Sequence, residues 1–202
     1  MEKNTLKLGL GLLLLIGAVG LLALVFQQPE KLNGAVLDPP LPAPDFSLAR
    51  DDGTQFRLSA YRGKIVLLYF GYTSCPDVCP ATMAELRQAR ESLDDGLADR
   101  VQVVIVAVDP DRDTPERIQQ YAEHFDQSFI GLSGALDELQ KIWDAYGITR
   151  SIEESQSASG YLVSHTARVY LVDPSGSLRL SFAFGAPPED ITHDLKILLA
   201  TP

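Results

Sequence analysis

Ile65-Val66-Leu67-Leu68-Tyr69-Phe70-Gly71-Tyr72-Thr73-Ser74-Cys75-Pro76-Asp77-Val78-Cys79-Pro80 is the stretch on which the fold turns. Residues 65–70 are an unbroken apolar run, as a strand covered on both faces requires. Pro80 is a favoured first-turn residue, and Met83, Leu86 and Leu93 recur after it at helical spacing. The stretch therefore predicts a buried strand, a short loop and a helix, with both cysteines of the chain at the strand-to-helix corner.

Working outward, residues 101–108 form a second apolar run and residues 167–172 a third. Residues 177–184 alternate after the turn Asp173-Pro174-Ser175-Gly176. Thr114-Pro115 opens a second helix, with Glu116 at its positive end. Leu136, Leu139, Trp143 and Tyr146 form a helical stripe that stops at Gly147, and Ile191, Leu195 and Leu198 mark a last helix. Trp143 reads as core. Ahead of these, residues 46–48 and 55–58 alternate around Asp51-Asp52-Gly53 and predict a hairpin. The order gives one α/β domain over residues 45–202, a mixed sheet flanked by helices.

The N-terminal part is different. Residues 8–26 contain no charged or strongly polar side chain, and as a helix they would reach roughly 28 Å, close to bilayer thickness. Lys3 and Lys7 precede the run, so residues 1–28 are expected to be a cytoplasmic N-terminus with a single transmembrane anchor, the rest lying across the membrane. A cleaved signal peptide fits less well, because Leu24-Val25-Phe26 is too bulky for a small-x-small site. Residues 29–44, with Pro29, Pro39, Pro40, Pro42 and Pro44, read as a semi-rigid spacer.

Composition narrows the chemistry. Among 202 residues, 27 acidic and 17 basic side chains give a formal charge of -10, which disfavours nucleic-acid partners. Two cysteines are too few for a disulfide-rich scaffold or a four-thiolate cluster. No Gly-x-Ser-x-Gly or phosphate-binding glycine loop suggests a hydrolase or nucleotide enzyme.

The cysteines themselves carry the strongest signal. Backbone N–H groups at a helix start favour thiolate, which is both the nucleophile of disulfide exchange and a ligand for soft metals. A structural disulfide between Cys75 and Cys79 would close too small a loop to stabilise much. The pair is expected to be a redox dithiol, a metal site, or both. Thiolates alone rarely complete a site, and His165, just before the strand at 167–172, is the best third ligand. An antiparallel strand starting there would begin at the edge where the cysteine loop sits. His124 falls at a helix end, and His193 on a face opposite the apolar stripe. Two sulfurs and one imidazole suit copper(I) better than structural zinc, which wants four ligands. Met83 could add a thioether, although core packing is its expected job.

The block from Gly71 to Pro80 resembles the signature of the Sco/SenC family of copper-binding proteins. The resemblance extends to Asp109-Pro110-Asp111-Arg112-Asp113-Thr114-Pro115, to Ser164-His165 and to Tyr170-Leu171-Val172-Asp173-Pro174-Ser175-Gly176. It implies a thioredoxin-like fold and copper, as Cu(I) and also Cu(II), bound by Cys75, Cys79 and His165. It further implies a metallochaperone of the bacterial cytoplasmic membrane, with its C-terminal domain facing the periplasm. Such a protein would deliver copper to the binuclear site of cytochrome c oxidase subunit II, or reduce that site's cysteines, and exchange metal with other periplasmic copper carriers. Three residues separate the thiols, against two in thioredoxins, which favours metal binding over general disulfide reduction. A peroxiredoxin would want Thr or Ser where Tyr72 stands.

Two segments remain. Asp109, Asp111 and Asp113 imitate the start of a calcium loop, but Thr114 replaces the required glycine and Gln120 the closing glutamate. They are expected to cap the following helix. Residues 153–160 predict a mobile loop that would let His165 swing during metal transfer.

Overall fold

The computed structural model describes residues 31–157 and 160–200. The expected membrane span at residues 8–26 lies outside the described residues, among which no helix is long and apolar enough to cross a membrane. In chain order the strands are β1 (Ala35–Pro42), β2 (Ser47–Ala49), β3 (Gln55–Arg57), β4 (Ile65–Gly71), β5 (Val101–Ala107), β6 (Ile130–Leu132), β7 (Arg150–Ser157), β8 (Gly160–His165), β9 (Arg168–Val172) and β10 (Ser177–Ala183). The helices are α1 (Val78–Glu91), α2 (Asp95–Ala98), α3 (Pro115–Phe125), α4 (Leu136–Tyr146) and α5 (Pro188–Ala200).

Six strands form the central sheet in the order β1-β10-β9-β4-β5-β6. β4, β5 and β6 are parallel and joined through α1 and α3, whereas β9 runs antiparallel to β4 and β10 antiparallel to β9. Every residue of β4 is buried, which is why its sequence shows no alternation. This is the thioredoxin-like mixed α/β sheet that the sequence predicts. The expected hairpin is present as β2 and β3. Trp143 is fully buried in α4, its indole N–H donating to the Ala107 carbonyl at 3.1 Å, so it is core as expected. Gly147 closes α4 in the left-handed conformation at φ 65°, which a side chain would strain.

Two expectations need correction. The spacer assigned to residues 29–44 is in large part a strand: β1 pairs with β10, and the compact unit starts at Leu32. Prolines lack the N–H a central strand needs, but β1 is the sheet's outer edge, where they are tolerated. The ladder skips from Val36↔Leu180 to Leu41↔Leu178, passing Pro39 and Pro40. Residues 153–160 are likewise not a loop throughout. β7 and β8 form a separate antiparallel pair, with Arg150 opposite His165 and Ser157 opposite Gly160. In β8 only Val163 is fully buried, so the pairing rests on backbone hydrogen bonds and leaves little hydrophobic pattern to read. A freely swinging loop ahead of His165 is replaced by a paired strand.

Candidate metal centre

β4 ends at Gly71, and the turn after it closes with the Cys75 N–H donating to the Tyr72 carbonyl at 3.4 Å. α1 then starts at Val78, with Asp77 as cap residue, so Pro80 lies in the first turn as expected. Cys75 sits on the loop, half-buried, and Cys79 in the first turn of α1, fully buried; both are free thiols. The Cys79 backbone N–H donates to Cys75 Sγ at 3.3 Å. Because Tyr69 pairs with Val169, the start of β9 lies beside the end of β4. β8 delivers His165 to that same edge, placing its Nε2 3.7 Å from Cys79 Sγ. The fold thus brings the imidazole to the Cys79 sulfur, with the Cys75 sulfur one hydrogen bond away on the Cys79 N–H.

The electrostatics of the two thiols are opposed. Cys75 is pulled down to about 5, first by the hydrogen bond from the Cys79 thiol and then by backbone N–H groups of Asp77 and Cys79, with burial opposing. Cys79, which gives that hydrogen bond, is pushed far up, and its burial adds to the effect. His165 is lowered, chiefly by burial, which keeps the ring neutral. Its Nδ1 lies 3.1 Å from the Thr166 carbonyl, so that nitrogen is the donor and Nε2 keeps its lone pair directed toward Cys79. Tyr72 packs edge-on to the ring, the two centroids 5.8 Å apart. Alongside runs an open cleft of about 260 Å³ walled by Pro76, Val78, Leu162 and Ala167, with Asp77 and Glu153 also lining it. Among the described residues no three His, Cys, Asp or Glu groups already stand in coordination geometry. The donor set nevertheless suits a soft monovalent cation: one thiolate, one thiol that can lose its proton, and one neutral imidazole.

Behind the sulfurs is a polar frame that sequence reasoning undervalued. Asp113 is buried and accepts from the Thr73 backbone N–H at 2.9 Å and from the Thr73 hydroxyl at 2.5 Å. Arg117 donates to the Thr73 hydroxyl at 2.9 Å and to the Ser74 hydroxyl at 3.1 Å. Asp109, fully buried, pairs with Arg112 and accepts from the Tyr161 hydroxyl at 2.8 Å. The Arg112 guanidinium lies 3.7 Å above the Tyr161 ring and donates to the Tyr161 carbonyl at 2.9 Å. Asp109 and Asp113 therefore do more than cap α3, whose N-cap is Thr114: they tie the cysteine loop and the β7–β8 pair to the end of β5. The visible signal was Asp109, Asp111 and Asp113 at a strand end, where helix capping outweighed a supporting role beside the metal.

Other candidates fall where the sequence placed them. Met83 is fully buried core. His124 is in the last turn of α3, its ring edge-on to Phe125. His193 is half-exposed on α5 beside Asp194 at 3.0 Å.

Comparisons with known proteins agree with this geometry. A family model described as SCO1/SenC matches residues 37–200. An SCO2-like protein of Rickettsia felis is 32% identical over 202 residues, covering 97% of this chain and 98% of that one. The solution structure of apo Sco1 from Thermus thermophilus is similar at a TM-score of 0.70 and 37% identity, over 84% of this chain and 94% of that one. Bradyrhizobium japonicum ScoI, solved with copper bound, is similar at a TM-score of 0.70 and 33% identity, over 78% of this chain and 99% of that one.

Proposed function

Because the chain belongs to the SCO1/SenC family, we propose that it is a membrane-tethered copper carrier that holds the metal between Cys75, Cys79 and His165. The observation that carries this reading is the approach of His165 Nε2 to within 3.7 Å of Cys79 Sγ, across 86 residues of sequence. Copper is cargo here. Two sulfurs and one nitrogen satisfy Cu(I) at low coordination, and a half-exposed Cys75 gives an acceptor protein a sulfur from which to start ligand exchange. Asp77 and Glu153 on the cleft make the approach to the site favourable for a cation.

The destination is the binuclear copper site of cytochrome c oxidase subunit II, with other periplasmic copper carriers as partners in the exchange. Residues 1–28 would anchor the protein in the bacterial cytoplasmic membrane through the apolar run at 8–26, and Lys3 and Lys7 hold the N-terminus inside. The compact unit that starts at Leu32 would then face the periplasm.

A second reading, thiol–disulfide oxidoreductase, is favoured by the opposed thiols: an ionised, half-exposed Cys75 as attacking sulfur and a protonated, buried Cys79 as resolving sulfur. One experiment separates the two. The reduced protein is titrated with copper and the Cu(II) form followed by absorption spectroscopy, in the wild type, Cys75→Ser and His165→Ala. The carrier reading expects a sulfur-to-copper charge-transfer band that Cys75→Ser abolishes and tight binding that His165→Ala loses. Unaltered copper affinity in His165→Ala, with disulfide exchange also unaltered, would leave only the oxidoreductase.

A further inference from the structure

Tyr69 is fully buried in β4, yet a phenylalanine would fill the same space without a hydroxyl to desolvate. Its hydroxyl donates to Cys79 Sγ at 3.3 Å. Two residues on, on the same face of the strand, stands Gly71. A Cβ there would come within 2.7 Å of Tyr69 Cε1 and 3.3 Å of Cys79 Sγ, so the missing side chain is what allows ring and sulfur to meet. Cys79 is held in turn by helix α1, so the phenol and the sulfur cannot drift apart without moving a central strand.

We propose that Tyr69 is a positioning residue that fixes the Cys79 sulfur and, through its hydrogen bond, biases the site toward reduced sulfur and reduced copper. The copper half of this assignment rests on the carrier reading; the sulfur half does not. A free thiol and a disulfide sulfur are weak acceptors and a thiolate or metal-bound thiolate is a strong one, while a thiol whose proton is shared with a thiolate, as Cys79 shares its proton with Cys75, carries added charge and lies between them. The O–H···S bond therefore strengthens as charge builds on the sulfur. It stabilises the dithiol–thiolate state against the disulfide, and Cu(I), which leaves more charge on its ligands, against Cu(II). The position of the buried sulfur is set on one side by Tyr69 and on the other by the Cys75 loop.

The test uses the full-length protein and two variants, Tyr69→Phe and Tyr170→Phe. The second deletes another phenol hydroxyl, one that donates to the Tyr146 carbonyl at 3.3 Å and touches neither sulfur. Each protein is equilibrated with glutathione buffers, in which the dithiol gives two electrons and two protons to glutathione disulfide, forming the Cys75–Cys79 bond and two glutathione thiols. Tyr69→Phe is expected to raise the equilibrium constant for disulfide formation by about five- to tenfold, the latter being about 30 mV for a two-electron couple, and Tyr170→Phe to leave it within about twofold. With Cu(II) bound, Tyr69→Phe is also expected to move the sulfur-to-copper band to lower energy. An unchanged constant in Tyr69→Phe, or an equal change in Tyr170→Phe, overturns the role of Tyr69. Absence of the band in the wild type overturns the copper reading instead, and the glutathione constants still decide Tyr69.

Discussion

Cys75 owes its acidity to position: the backbone N–H groups of Asp77 and Cys79 and the Cys79 thiol all point at one sulfur. Its thiol ordinarily ionises near 9 and here does so at about 5, so the folded, reduced protein binds fewer protons than the unfolded chain between those values. Stability from this group is fully present above about 9 and is lost as pH falls toward 5. Alkylation of the reduced protein by iodoacetamide is accordingly expected at one fast site, with a rate flat at neutral pH that falls through about pH 5, and to vanish in Cys75→Ser. A half-point near 9, the ordinary thiol value, would refute the asymmetry. The sulfurs and the imidazole were legible in the sequence because cysteine and histidine are rare here and fall at element ends. Tyr69 was not, because in the run Ile65 to Phe70 an aromatic reads as core, and only the bond to Cys79 distinguishes it. Asp113 shows the same limit. Its buried carboxylate accepts from the Thr73 N–H and hydroxyl, and in Asp113→Ala both donors lose that acceptor. Urea unfolding should show a loss of about 2–4 kcal/mol, whereas a cap-only role already filled by Thr114 would show almost none.

The β7–β8 pair is the element nearest the site that sequence reasoning missed. Strand β4 announces itself through seven buried residues, whereas Val163 is the one fully buried residue among the described side chains of β7 and β8. What fastens the hairpin lies elsewhere in the chain: the Asp109–Arg112 pair gripping Tyr161, and the Tyr72 hydroxyl accepting from the Val163 N–H at 3.3 Å. Both fastenings reach from the β4 and β5 ends to β8, the strand that carries His165. Few apolar contacts and a small number of polar clamps describe an element that opens locally before the sheet does. In Tyr161→Phe the bond to the buried Asp109 carboxylate is lost, for about 1–2 kcal/mol, while the ring stays over Arg112. Hydrogen exchange should therefore accelerate in residues 160–165 with protection in β4 and β5 unchanged. Uniform acceleration across the sheet would mean that the hairpin is not a separate opening unit. Such opening, rather than a free loop, is how His165 would let go of a ligand shared with an acceptor.

At the scale of the molecule, the strand order puts the chain's entry at one edge of the sheet and the cysteine strand in its interior, with β10 and β9 between them. The entry is clasped by a residue with no part in the chemistry. Asp194 on α5 is fully buried, and its carboxylate accepts from the Asn33 N–H at 2.9 and 3.0 Å and from the Gly34 N–H at 2.8 Å. Gly34 also fits tightly, since a Cβ there would meet Leu180 Cδ1 at 2.8 Å. β1 by itself is a weak strand, its ladder broken around Pro39 and Pro40, so the clasp supplies much of what keeps it paired. Asp194→Ala leaves two backbone donors without their acceptor, a cost of about 2–4 kcal/mol. The expected outcome is a lower unfolding midpoint together with new proteolytic cuts between residues 32 and 42. Because β9 and β10 stand between β1 and the cysteine strand, the alkylation rate of Cys75 should stay at its wild-type value. Cuts confined to other segments would show that β1 is held by its ladder alone. A slowed Cys75 would show instead that the edge strand and the cysteine loop are coupled through the sheet.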